Sequence, residues 1–400
     1  MVNHLAKNVE LWYNHNRTKG GDSMIFDISD VAFRNVLKDQ TFFLPIRWTG
    51  SDFSKTLDNL FNYYIKQLEK SNNTPQPNYN SIQVDLKETK RLCKLLKKAV
   101  DHYLNGFPAK AYTSFEKAME LLMKNPLKIY QKSAIEQFET SGNRYKKGED
   151  LNLFRVVSVQ DNKPYTRARV FHTPYTMRSK VSTSRYSIAG YPSLYLGTTL
   201  PLCCEEIHMN PHQNFALASM YQIEKNLYST NTNIRVIELG VKPQDFLDVE
   251  YTDEHCGRQI SKSLLNDNNV KSSYLLWYPL IASCSYIRTD KSDPFAAEYI
   301  IPQLLMQWVR SEICPHKGDR YNQLVGIRYF SSASVKASDM GFNYVFPTSG
   351  NPHFADLPYC SVLAKSFRLT NPVYIHEYDT LDDCERQLMK SNDFDFIKNC

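Results

Sequence analysis

Four hundred residues, 42% of them hydrophobic, are too many for one ordinary domain and apolar enough for two packed cores. The net charge of +6 is uneven, with 23 basic against 17 acidic residues up to position 150 and 25 against 25 after it, so the whole excess lies in the N-terminal part. Residues 1–13 lack the cationic start and long apolar core of a secretory signal, and the most apolar run, 274–287, contains Pro279 and is too short to span a bilayer, which points to a cytoplasmic protein.

The first 141 residues read as mainly helical. A helix is expected over 28–37 with Asp27 as its cap, and a better-marked one over 51–69, capped by Ser51 or Ser54. In the latter Leu57, Leu60, Phe61, Tyr64, Ile65 and Leu68 recur at three-and-four spacing. Asn, Pro and Ser over 71–81 make a polar loop. Over 85–105 the stripe Leu92, Leu95, Leu96, Ala99, Val100 and Tyr103 predicts a long helix, and Lys87, Lys90, Arg91, Lys94, Lys97 and Lys98 give it a basic face. That face could meet nucleic acid, anionic lipid or an acidic partner, although a solvated surface accounts for it as well. The break at 105–108 and a helix over 109–124 complete a helical hairpin.

Asn125-Pro126 and the polar run 142–150 bracket a change of character, which divides the chain into a helical N-terminal domain, 1–148, and a second domain, 149–400. Short strands are expected at 153–159, 193–196, 218–223, 234–239, 324–329 and 344–346, with helices at 271–284 and 294–309. Strands mixed with inserted helices make the fold class α+β or α/β, with α+β preferred; no internal repeat is present.

The stretch from Arg185 to Glu206 has the composition of a reaction centre. An Arg beside a Tyr leads into the turn Gly190 to Pro192, an apolar strand follows, and Thr198 or Thr199 can cap a helix that carries Glu205 and Glu206 with Cys203, Cys204 and Ile207 toward the core. Such a strand, turn and helix can bring a guanidinium and a carboxylate to one cleft.

These residues resemble the RES-domain family, named for an Arg, a Glu and a Ser, whose characterised members degrade NAD⁺. Arg185-Tyr186, Gly190, Pro192, Tyr195-Leu196 and Glu206, eleven residues after the Tyr, follow its pattern. Phe154-Arg155 is similar to the family's entry strand, Phe171 to Arg178 to the segment before the core motif, Gly326 to Ser331 to the segment with the serine, and Asn343 to Pro347 to the closing strand. The resemblance covers roughly 150 to 370. Several members carry Asn where this chain has Ser187, and the family serine is Ser331 or Ser332, with Ser331 preferred and Ser334 a weaker alternative.

The resemblance implies a curved sheet like that of ADP-ribosyltransferases and a reaction at the nicotinamide-ribose bond. NAD⁺ would be substrate, not cofactor, since no GxGxxG or GxxxxGK[ST] run is present; inorganic phosphate would be a co-substrate if cleavage is phosphorolysis and absent if it is hydrolysis. The transition state has oxocarbenium character, which a carboxylate stabilises, and Glu206 is the residue expected to do so. The planar fork of Arg185 suits a phosphate, Ser331 would position substrate without acting as a covalent nucleophile, and Tyr186, Arg155, Arg178 and Ser332 are expected to contact substrate. Each of these types also has an ordinary structural use, as packed aromatic, surface cation or turn former.

No metal site is expected: Pro211 interrupts the His208 and His212 pair. Nine cysteines without CxxC spacing read as reduced thiols. Some RES-domain proteins have N-terminal helices resembling the HEPN group, but the Arg-x4-6-His pattern of its RNA-cleaving members is absent around Arg91 and His102, which favours a regulatory or assembly role over a nuclease. An NAD⁺-depleting toxin or antiphage-defence effector would need restraint, by an antitoxin or regulatory partner or a homo-oligomeric off state. An ADP-ribosyltransferase acting on a macromolecule and a non-catalytic sensor of NAD⁺ or ADP-ribose are the competing readings.

Overall fold

The computed structural model describes residues 25–48, 50, 52–72, 81–124, 152–209, 215–223, 235–247, 260, 265–288, 290, 292–312, 325–348 and 358–397. The loop at 73–80, the transition at 125–151 and His212 lie outside them.

In the N-terminal part β1 (Ile25–Ile28) precedes α1 (Asp30–Leu37). This helix starts two residues later than the sequence predicts and is capped by Ser29, not Asp27, because 25–28 is drawn into antiparallel pairing with β3 (Ile82–Asp85). After the two-residue strand β2 (Ile46–Arg47), α2 (Phe53–Ser71) begins at Asp52, whose carboxylate accepts from Lys55 N at 2.9 Å, so Asp52 takes the role expected of Ser51 or Ser54. Helices α3 (Leu86–Leu104) and α4 (Pro108–Lys124) form the expected hairpin, with Gly106 at φ +80 in the turn. Lys87, Arg91, Lys94 and Lys98 are exposed on α3, whereas Lys90 pairs with Glu69 and Lys97 with Asp101, each at 2.7 Å. This basic face is a solvated one with local pairs of small energetic weight.

The remaining chain gives, in order, β4 (Asn152–Ser158), α5 (Arg167–Val170), β5 (Ser193–Gly197), α6 (Leu200–Glu206), β6 (Ala216–Ile223), β7 (Arg235–Leu239), α7 (Asn268–Ser283), β8 (Tyr286–Ile287), α8 (Ile300–Glu312), β9 (Val325–Tyr329) and β10 (Asn343–Pro347). It closes with α9 (Ser361–Ser366), β11 (Phe367–Thr370), β12 (Val373–Tyr374), α10 (Leu381–Lys390) and β13 (Phe394–Asp395), none of which the sequence reading marked. A nine-stranded mixed sheet runs β13-β11-β6-β4-β5-β10-β9-β7, with β12 also paired to β6. Its ladders are antiparallel except for β7 with β9. The fold is α+β.

Side chains alternate across this sheet as a period of two requires. Ile237, Ile327, Tyr329 and Val345 face the cluster that holds the N-terminal helices, α7 and α8, while Leu194, Leu196, Val236, Tyr344 and Phe346 face a second core with Phe367 and Leu369. One apolar cluster therefore runs from the N-terminal helices to the sheet, across the change of character near residue 148. Helix α7, buried from Val270 to Ser283, is its axis. Pro279 has no N–H for the Leu275 carbonyl one turn back, and the Tyr64 hydroxyl of α2 donates to that carbonyl at 2.8 Å instead. Among the described residues no helix is long and apolar enough to cross a membrane.

Candidate functional site

A cleft of about 700 Å³ opens over β4, β5, β9 and β10, and the turn before β5 and the end of α6 form its walls. The backbone of β5 leaves room for α6 because residue 197 is Gly: a Cβ there would stand 2.7 Å from Cys203 Sγ. Helix α6 is capped by Thr199, whose Oγ1 accepts from Leu202 N at 3.3 Å, one of the two expected caps. Its other end closes with Met209 N donating to Cys204 O at 3.0 Å and His208 N to Glu205 O at 3.1 Å. His208 has φ +52, in the left-handed region that glycine usually fills at this place. Glu206 is thus the last helical residue, away from the amide end of the helix.

The cleft brings together Arg185, Glu206, Arg155 and Ser332. Arg185 is held by the chain after α7: Nη2 donates to Tyr286 O at 2.6 Å and Nη1 to Cys284 O at 3.2 Å, while the guanidinium lies 4.8 Å from the Tyr299 ring centre. Arg155 Nη1 donates to Tyr195 O at 2.8 Å, and its buried Nε has no hydrogen-bond partner among the described residues. Burial pulls the Arg155 guanidinium down from its ordinary value, yet a guanidinium remains charged at neutral pH. Among the described lining residues Glu206 is the one carboxylate, and Asn343 Nδ2 donates to its Oε1 at 2.5 Å. Glu205 turns elsewhere and accepts from Ser334 Oγ at 3.3 Å.

Other expected residues stand apart from the cavity. Ser331 is wholly buried and its Oγ accepts from Ala333 N at 3.1 Å, so this hydroxyl shapes the turn after β9; Ser332, its neighbour, lines the cleft. Tyr186 is buried and packs against Tyr329 at 4.5 Å between ring centres. Arg178 lies behind the wall, over the rings of Tyr175 and of the cleft residue Tyr191. Ser187, in the turn, does line the cleft, and joins its Oγ to Ser184 N and O at 2.9 Å.

The cleft also contains groups that sequence reasoning missed. Arg288 adds a third guanidinium, 5.4 Å from the Tyr299 ring centre, and His208 and Asn343 are within the lining. Asn343 lay inside a recognised segment without a role, while Arg288 follows an apolar run and carries no motif signal. Burial pushes Tyr195 up to about 12, so its phenol stays protonated and donates to Tyr186 O while Ser184 Oγ donates to it. Burial likewise raises the Cys203 thiol well above its ordinary value, which keeps it from thiolate chemistry. The six described cysteines are buried thiols. No cluster of metal-ligating side chains occurs among the described residues.

Among the described residues the arrangement offers a ligand three guanidinium groups, aromatic surfaces and one carboxylate. The chain is similar to a Bacillus subtilis (strain 168) protein described as "Putative toxin YopC", 25% identical over 360 residues that span 87% of this chain and 72% of that protein. No protein-family model matches the chain, and no solved structure matches it.

Proposed function

We propose that this chain is a toxin enzyme that cleaves the nicotinamide-ribose bond of NAD⁺, by phosphorolysis to ADP-ribose-1-phosphate or by hydrolysis to ADP-ribose. The observation that carries the reading is Glu206, the one carboxylate among the described lining residues, in a cleft that also holds the cations Arg155, Arg185, Arg288 and Lys180. A dinucleotide with two phosphates matches the cations, and a ribosyl centre that gains positive charge matches the carboxylate. The motif from Arg185 to Glu206 and the similarity to a protein described as a toxin support the same reading.

Glu206 would stabilise the ribosyl cation. Arg155, Arg288 and the unshared donors of Arg185 would bind pyrophosphate or an incoming phosphate, and Ser332 would hydrogen-bond substrate. Unrestrained NAD⁺ loss would poison the host, so an antitoxin-like or regulatory partner belongs to the proposal.

The test is chromatography of NAD⁺ incubated with the protein, with and without phosphate, beside Glu206→Gln. Nicotinamide release by wild type and a rate lower by on the order of a hundredfold in the variant are expected. A folded, fully active Glu206→Gln protein overturns the assignment. Labelled ADP-ribose retained on a macromolecule identifies a transferase, and binding of NAD⁺ without nicotinamide release identifies a sensor.

A further inference from the structure

Glu206 occupies a place that disfavours a carboxylate. As the last residue of α6 it lies at the carbonyl end of the helix, away from the amides of the helix start that would favour its charge. Its Oε1 is instead taken by a neutral donor from another part of the chain, Asn343 Nδ2 at 2.5 Å, across 137 residues of sequence.

Asn343 is well fixed for that purpose. It opens β10, paired with Gly197 of β5 on one side and with Tyr329 of β9 on the other, and it is only 5% exposed although it borders the cleft. A Cβ on residue 197 would lie 3.5 Å from Asn343 Oδ1, so the carbonyl end of the amide faces β5 while its NH₂ end faces α6. Two central strands thus orient a single side-chain amide, and that amide orients the carboxylate. A carboxylate has two oxygens with about four acceptor sites between them, so securing Oε1 leaves Oε2 for a ligand.

We infer that Asn343 is a positioning residue for Glu206: its amide fixes one carboxylate oxygen and the side-chain rotamer, so that the other oxygen is presented to the ligand in the cleft. The functional part of this inference rests on the proposed role of Glu206 in cleaving NAD⁺; the contact itself does not. A purely space-filling Asn343 makes the opposite predictions. Aspartate has nearly the shape of asparagine but presents an oxygen to Glu206 in place of the N–H, so a filling role tolerates Asn343→Asp and a positioning role does not.

The test measures kcat and KM for NAD⁺ in wild type, Asn343→Ala, Asn343→Asp, Glu206→Gln and the double variant Glu206→Gln with Asn343→Ala, each checked by thermal unfolding. The expected result for Asn343→Ala is a kcat lower by roughly 10- to 100-fold with KM within about threefold, the range found when a group that orients a functional ligand is removed. Asn343→Asp falls at least as far, and in the Glu206→Gln background the alanine change costs less than about threefold, because residues that act through one contact are not additive. Independent, multiplying losses, or an active Asn343→Asp protein, overturn the inference. Should wild type leave NAD⁺ intact, the reading of the reaction falls, and the side-chain NH₂ resonance of Asn343 decides the pairing by NMR. A downfield proton lost in Glu206→Ala supports it; a resonance indifferent to that change overturns it.

Discussion

Arg185 Nη2 donates to the carbonyl of Tyr286 at 2.6 Å, across 101 residues of sequence. Tyr286 begins β8, which pairs in parallel with β2, and Ile46 N donates to Ser285 O at 3.0 Å. Residues from the N-terminal part therefore hold the strand that holds Arg185. The carbonyl of Cys284, at the C-terminal cap of α7, takes the second N–H, at the end of a helix where cations are favoured.

This relationship predicts that Arg185→Lys is not conservative. A single ammonium on a flexible stem cannot serve both carbonyls in the geometry of the guanidinium fork. A loss of about 1 to 2 kcal/mol in urea unfolding is expected; unchanged stability would mean that the two bonds contribute nothing to holding the wall.

His208→Gly is expected to stabilise the fold. The residue sits at φ +52 after a helix end already closed by its own and the following amide, and glycine adopts that conformation without the Cβ clash. The gain should be about 0.5 to 1 kcal/mol by thermal or urea unfolding. A loss of stability would show that contacts of the imidazole outweigh its backbone cost.

A pH effect is expected from His172, which is 1% exposed. Burial pushes its imidazole down from 6.5 to about 4, and the neutral ring is used at both nitrogens, with Nδ1–H donating to Thr173 O at 2.8 Å and Nε2 accepting from Cys360 N at 2.9 Å. Between those two values the unfolded chain binds a proton that the folded one does not, so stability rises with pH there and is lost as pH falls from 6.5 toward 4. The loss attributable to this group reaches about 3 kcal/mol. Urea unfolding of wild type and His172→Gln across that window measures it: the variant starts lower but should lack this part of the slope.

Glu238→Ala is expected to cost about 3 to 5 kcal/mol, because it leaves a buried guanidinium without its counter-charge. Arg328 Nη1 and Glu238 Oε2 are 2.6 Å apart with both side chains wholly buried, and Gly240 N also donates to the carboxylate at 2.5 Å. The double change Arg328→Met with Glu238→Leu should be milder than Glu238→Ala in the same denaturation experiment.

Much of the element content was legible because its signals are local. The stripe from Leu57 to Leu68 and that from Leu92 to Tyr103 place α2 and α3 within two residues of their observed bounds, and six expected strands coincide with β4, β5, β6, β7, β9 and β10. The missed elements are short or weakly patterned: β11 has four residues, β12 and β13 two each, and α10 has a narrow apolar face on a polar sequence. Caps were the least legible detail, since Asp52 and Ser29 compete with equally suitable neighbours and only the backbone path selects them.

At the cleft, the sequence alone determined that an arginine, a Gly/Pro turn, a strand and a helix bearing glutamates succeed one another from 185 to 206, because those residues are close in the chain and their preferences are backbone preferences. Backbone preferences do not choose between adjacent side chains; the family pattern singled out Glu206, which lines the cleft, and preferred Ser331, which does not. Tertiary structure decided that Glu206 and not Glu205 enters the cleft, that Ser332 lines it while Ser331 serves a turn, and that Asn343, Arg288 and the carbonyls of Cys284 and Tyr286 complete its surroundings. The reason is geometric: a shift of one residue turns a side chain by about 100° on a helix and to the opposite face of a strand, and its partner arrives from a strand or helix end more than a hundred residues away, through pairings that only the assembled sheet specifies.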